Sequence, residues 1–239
     1  MSYWLFLVLF LVLPIIILFV ITFFDSRRGL PIPLSFNAMP FWTAVLLHMI
    51  IAPTYTFLWD KYLVANQVWW YDPDMVSGII LWWVPIEEYT FFVLQPLLAG
   101  LFLLFVLRRI HYNSELPQKP NRWRFYPVLA IAIIWLLSLS SFISDQTSFT
   151  YISLELLWAL PPVALQIAFG GDILRKHWPV LTLNILFLSA FLSIADSFAI
   201  WNGTWTIDPR QSLEIYMGGT LPLEEITFFL LTNTLITFG

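Results

Sequence analysis

Cysteine is absent from this chain of 239 residues. Its absence excludes disulfides, thiolate metal sites and cysteine nucleophiles, and leaves the redox compartment open. Charge is scarce as well: Asp, Glu, Lys and Arg make up 11% of the residues, against about 25% in ordinary soluble domains. So little polar surface cannot coat a water-facing globule. The 59% hydrophobic content, 18% aromatics and mean hydropathy of +0.80 therefore place the chain in a bilayer. A net charge of -4 then says little about partners. The three histidines, His48, His111 and His177, lie far apart and no Glu-x-x-His occurs, which argues against a histidine-box oxygenase. No Gly-x-Gly-x-x-Gly opens a helix after a strand, so neither flavin nor dinucleotide is expected. The amino terminus lacks a signal peptide's basic opening and small-residue cleavage site, and its apolar run is expected to stay and span.

Seven apolar stretches approach the roughly 20 residues needed to cross about 30 Å of hydrocarbon. They run from about Tyr3 to Phe24, Phe41 to Trp59, Gly78 to Leu107, Phe125 to Ile143, Tyr151 to Phe169, Pro179 to Ile200 and Tyr216 to Phe238. Short cytoplasmic loops accumulate Lys and Arg. Arg27, Arg28, Arg108, Arg109, Lys119, Arg122, Arg124, Arg175 and Lys176 all fall on one face, leaving Lys61 and Arg210 opposite. The expected fold is an all-α membrane protein of seven transmembrane helices, with its N-terminus outside and its C-terminus cytoplasmic.

Pro85-Ile86-Glu87-Glu88, followed by Thr90-Phe91-Phe92, recurs as Pro222-Leu223-Glu224-Glu225 followed by Thr227-Phe228-Phe229. Upstream, Trp42, Asp60, Asn66, Trp69, Asp72 and Pro73 match Trp178, Asp196, Asn202, Trp205, Asp208 and Pro209 at one constant offset. Polar residues held in register through a loop point to duplication rather than to two chance hydrophobic helices. The domains expected are a first repeat over 1–110, a linker with the fourth helix over 111–150 and a second repeat over 151–239. That is a parallel 3+1+3 repeat, with its pseudo-twofold axis along the membrane normal.

Acidic residues inside a membrane cost about 2.5–3.5 kcal/mol each on insertion scales. A carboxylate in the first turn of a helix is partly explained by the helix dipole, yet that does not explain why the pair occurs twice. No Lys or Arg lies within any expected span, so Glu87, Glu88, Glu224 and Glu225 have no obvious buried cation. Burial and a neighbouring carboxylate both favour the neutral acid, and at least one member of each pair is expected to keep its proton near neutral pH. Helical neighbours differ by about 100° around the axis. One glutamate of each pair can thus face a pocket while the other supports it, and either order fits. Trp82, Trp83, Tyr89, Phe91, Phe92, Phe228 and Phe229 surround the acids, and their π faces would favour a carbocation. For Trp69, Trp70, Trp82 and Trp83 an interfacial belt is the stronger reading. His48, alone in its span, reads as a packing or hydrogen-bonding residue. Asp72-Pro73 and Asp208-Pro209 read as turn formers, with Asp60 and Asp196 as helix-end or loop partners and Asn66 and Asn202 as further supporting residues.

With these motifs and seven spans, the chain resembles the membrane-integral lycopene cyclases in their fused, heterodimer-type form. The departure is Ile86, where leucine is usual. The resemblance covers essentially the whole chain. It implies a cofactor-independent and metal-independent, redox-neutral isomerase that closes the linear ends of lycopene to rings, in carotenoid biosynthesis. β rings are expected, giving β-carotene by way of γ-carotene. It also implies a multi-pass protein of the cell membrane whose partners are the lipid bilayer and a linear carotenoid, with no nucleic acid and with the number of chains left open. The competing reading is a proton-coupled transporter or an isoprenoid-binding protein, since buried acids and repeated bundles also suit transport.

Overall fold

The computed structural model describes residues 1–30, 39–110, 120–144 and 146–239; His111 and Lys119 fall outside the described residues. The protein is mostly helical, with α1 Tyr3–Arg27, α2 Phe41–Ala65, α3 Ile86–Leu107, α4 Pro120–Ile143, α5 Thr150–Lys176, α6 Trp178–Trp201 and α7 Leu223–Phe238. Six of these helices, α1 to α6, are long and apolar enough to cross a membrane. Their outer faces carry what lipid accepts and water does not: Leu58 is 68% exposed, Leu137 65% and Phe169 83%.

Two expected spans prove shorter. The third begins at Ile86 rather than Gly78, and the seventh at Leu223 rather than Tyr216. In both places the preceding residues form a tight antiparallel hairpin, β2 Ile80–Leu81 with β3 Val84–Pro85 and β5 Tyr216–Met217 with β6 Leu221–Pro222. Proline lacks the N–H a helix interior needs. Pro85 and Pro222 accordingly sit as extended N-cap residues (φ −69°, ψ 149° and φ −60°, ψ 148°) that close a hairpin and open a helix. α7 is left with 16 residues, about 24 Å of axial length, and the fold is not strictly all-α.

A third ladder joins the loop after α2 to the loop after α6: β1 Trp69–Tyr71 pairs antiparallel with β4 Trp205–Ile207 in the register Trp69↔Ile207, Trp70↔Thr206, Tyr71↔Trp205. Two flanking bonds extend it, Asp72 N–H to the Thr204 carbonyl (3.1 Å) and Asp208 N–H to the Val68 carbonyl (2.8 Å). Positions equivalent by the repeat offset exchange places across this ladder. The same exchange recurs inside the bundle. Gln95 and Thr232 occupy one repeat position, and the Gln95 amide donates to Thr232 Oγ1 at 3.0 Å.

The paired glutamates and most of the described arginines stand at opposite ends of the bundle. Glu88 and Arg108 stand at the two ends of α3, about 30 Å apart on the helical rise. At the basic end Arg109 grips Asp25 with two bonds of 2.8 and 2.9 Å, tying α3 to α1. Arg124 holds Asp172 at 2.7 Å, tying α4 to α5. Gly171 lets α5 approach there, because a Cβ at that position would collide with the Trp123 carbonyl.

Candidate active site: a carboxyl chamber at the helix starts

Both acidic pairs occupy the same helical positions, one and two residues after the first residue of α3 or α7. Their side chains diverge in the same way. The first glutamate of each pair is wholly buried and turns back to the loop before it. Glu87 Oε1 accepts the Ser77 N–H at 2.6 Å, and Glu224 Oε1 accepts the Leu213 N–H at 2.6 Å. Each therefore braces the backbone of the loop that leads into its own hairpin.

The second glutamates, Glu88 and Glu225, line one and the same cavity of about 50 Å³. Glu88 Oε2 accepts the phenolic O–H of Tyr3 at 2.5 Å and that of Tyr71 at 2.9 Å. Glu225 Oε1 accepts that of Tyr151 at 2.8 Å. Tyr3 and Tyr151 stand in the first turns of α1 and α5, so each acid meets a phenol from the helix that opens its half of the chain. Trp59, Trp69, Trp205, Phe91, Phe228 and Phe229 complete the wall, with Tyr3 and Trp205 ring centres 4.9 Å apart and the Trp59 and Phe228 rings stacked at 5.7 Å.

Further carboxyls lie behind this wall. Asp196, 2% exposed, reaches the cavity and accepts the Trp205 indole N–H at 2.9 Å. Asp60 is fully buried, and neither of its oxygens has a hydrogen-bond partner among the described residues. Both sit inside α2 and α6 rather than in loops, which corrects the helix-end or loop reading. Glu155 in α5 is fully buried, and neither of its oxygens has a hydrogen-bond partner among the described residues. The described ion pairs engage Asp25, Asp172 and Asp208; none reaches the chamber. Like charges in a dry site repel, and an unpaired buried charge costs several kcal/mol. Full ionisation of such a cluster is therefore costly.

The other residues singled out from sequence fall into separate places. Phe92 is buried but faces a second cavity. Tyr89 donates to the Leu81 carbonyl at 3.0 Å and packs near Phe57. Trp82 and Trp83, 67% and 65% exposed, occupy the hairpin tip with positive φ, and the Lys61 ammonium lies over the Trp82 ring at 5.0 Å. Neither tryptophan reaches the chamber. Trp69, read as a belt residue, instead lines it at 8% exposure, whereas Trp70 stays 42% exposed. Asn66 and Asn202 cap α2 and α6 by donating to the carbonyls of Tyr62 and Phe198. Asp72 and Asp208 close turns by accepting the N–H of Asp74 and Arg210. Hydrogen bonds from the Arg210 guanidinium also hold the Asp208 carboxyl below its ordinary range. His48 Nδ1 lies 2.8 Å from the Ala44 carbonyl, as expected of a hydrogen-bonding residue.

Sequence reasoning missed Tyr3, Tyr71, Tyr151, Trp59 and Glu155. Glu155 carried a legible signal, an acid in an apolar span, and the tyrosines carried none. One consequence concerns stability. An unsatisfied buried carboxyl costs about 1–3 kcal/mol, so Glu155→Leu is expected to raise the unfolding temperature of the detergent-purified protein. A lowered unfolding temperature would show that Glu155 is held by a partner essential to the fold.

A family model described as lycopene cyclase matches residues 1–106 and 148–238. The chain is 34% identical to the lycopene beta-cyclase of Halobacterium salinarum over 198 residues, 80% of this chain and 78% of that protein. It is also 34% identical over 201 residues to the bifunctional lycopene cyclase/phytoene synthase of Neurospora crassa, and 36% identical over 198 residues to that of Blakeslea trispora. These alignments take in 80% of this chain, 33% of the Neurospora protein and 32% of the Blakeslea protein, so the chain spans about a third of the length of these bifunctional relatives. No solved structure matches.

Proposed function

This chain belongs to the lycopene cyclase family, and from that premise we propose that it closes the ψ-ends of lycopene to β rings without a cofactor, giving γ-carotene and then β-carotene. One observation carries the reading: Glu88 and Glu225, from the two copies of one motif, line a single cavity walled by aromatic rings. A protonated carboxyl adds its proton to the terminal double bond, leaving a tertiary cation. The internal double bond attacks that cation and closes the ring, and loss of one ring proton restores neutrality. One proton enters, one leaves, and nothing is oxidised. The chamber's aromatic faces favour the passing cation by about 0.5–2 kcal/mol per contact, and exclusion of bulk water by those walls would protect it from capture.

Hydrogen bonds divide the roles. Glu88 accepts two phenolic hydrogens and Glu225 one, and donors stabilise a carboxylate more than an acid. Glu225 is the general acid in this reading and Glu88 the base, while Glu87 and Glu224 position them through their loops. The proposed frame is seven spans with α7 as the short one, N-terminus outside and C-terminus cytoplasmic, in the cell membrane. Residues 1–110 and 151–239 form two parallel repeats joined by 111–150. The symmetric β1–β4 register and the Gln95–Thr232 contact support that duplication.

A single chamber means each lycopene end reacts in its own visit. Chromatography of pigments from lycopene-making cells that express the chain is expected to show β-carotene, with the one-ringed intermediate appearing first. Unchanged lycopene beside folded protein would refute the cyclase.

A further inference from the structure

The carboxyl chamber is too small for its task. At about 50 Å³ it falls well short of the roughly 150 Å³ that admits a single benzene, and a ring-forming isoprenoid end is larger still. Beside it lies a cavity of about 380 Å³ between α2, α3, α5 and α7, walled by Leu47, Ile51, Phe92 and Leu235 among others. Its lining on α2 runs from Ala44 to Thr56, about 18 Å along the axis. Two of the amides near it are turned to protein, the Gln95 amide donating to Thr232 and Asn233 and the Gln166 amide to the Leu235 carbonyl, while Gln166 Oε1 has no hydrogen-bond partner among the described residues. What remains is an apolar trough. Leu47 at 41% exposure and Ile51 at 55% open it sideways toward lipid.

Trp158 and Trp59, stacked on each other, stand between the two spaces. Trp158 lines the larger cavity and stacks at 4.6 Å on Trp59, which lines the chamber, with the chamber's Phe228 at 6.4 Å. Trp59 is anchored by its indole N–H on the Leu154 carbonyl at 3.0 Å. The Trp158 indole N–H is buried with no hydrogen-bond partner among the described residues. Among the described residues, stacking against Tyr55 at 5.8 Å and against Trp59 holds that ring, with no side-chain hydrogen bond to fix it.

We propose that the 380 Å³ cavity seats the conjugated chain of a long acyclic polyene entering from the bilayer, and that the Trp158 indole is the movable partition through which its end reaches Glu88 and Glu225. The proposal rests on the cyclase reading for the identity of the ligand. It makes the polyene chain, rather than the reacting end, the part of the substrate that the protein recognises first. The largely apolar lining fits an unfunctionalised hydrocarbon, and the lateral opening fits a ligand that never leaves lipid.

Because the chain has no cysteine of its own, a single introduced thiol reports on one place. In Ala52→Cys, on the cavity wall, labelling by a lipid-soluble maleimide in proteoliposomes is expected to slow about tenfold when lycopene is added. Unslowed labelling in a sample that converts lycopene overturns the cavity assignment and leaves the cyclase standing. Slowed labelling without ring formation keeps the cavity as a polyene site and removes the cyclase; neither effect removes both. For the partition, Phe228→Cys reports from the chamber side, and adding Trp158→Ala is expected to speed its labelling at least tenfold. Equal rates with and without the indole, in variants that elute as folded protein, overturn the gate.

Discussion

Replacing Glu225 by glutamine is expected to stop cyclisation, with a rate loss of at least about a thousandfold, within the range assigned to positioned proton transfer. The amide keeps the size and the acceptor oxygen for Tyr151, so the fold should survive. What disappears is the transferable proton. Glu88→Gln should be as damaging to ring formation but for the opposite reason, because the cation can form and then has no base to release it. Deuterated water separates the two. In Glu88→Gln the deuteron added by Glu225 leaves a carbon bearing one hydrogen and one deuterium, and reversal by loss of the hydrogen leaves deuterium at the end of part of the recovered lycopene, whereas in Glu225→Gln it should carry none. Glu87→Gln and Glu224→Gln retain the oxygen that accepts from Ser77 or Leu213, and each should lose less than about tenfold. If the first glutamates proved indispensable and the second ones dispensable, the proposed division of roles would be wrong.

The phenols are expected to divide unequally. Tyr151 supplies the hydrogen bond to Glu225, while Glu88 is served by both Tyr3 and Tyr71. Removing one of two donors leaves the carboxyl partnered; removing the other acid's donor leaves it misdirected. The cost of an unmet buried hydrogen bond is about 1–3 kcal/mol, or about 5-fold to 150-fold in rate. Tyr151→Phe should fall in that range and Tyr71→Phe within a few-fold of the parent, measured as initial rates on lycopene in proteoliposomes. Equal losses would mean that Tyr71 does something beyond holding Glu88.

Much of this architecture could be read in one dimension. The bilayer setting follows from composition, because hydropathy adds residue by residue. The paired motifs and the Asp60/Asp196, Asn66/Asn202 and Asp72/Asp208 register could be seen by comparing the chain with itself. The errors were local in origin. Residues 78–85 and 216–222 are apolar enough to pass for membrane helix, and hydropathy does not register that Pro85 and Pro222 end a hairpin. Trp69 and Trp82 look alike in sequence, both aromatic and both near an interface. A ladder pairing with β4 turns the first into the chamber, and a hairpin tip turns the second out.

The residue string settled that paired acids would lie in an apolar setting with no cation nearby, since that depends on which residues stand side by side along the chain. Packing alone determined that Glu88 and Glu225 meet at one cavity while Glu87 and Glu224 hold loops, and that Tyr3 and Tyr151 reach across to the acids. A turn of about 100° per residue separates neighbouring side chains without saying which neighbour a distant helix will meet. That choice arises only when α1, α3, α5 and α7 pack together and buried polar atoms compete for the few partners in reach.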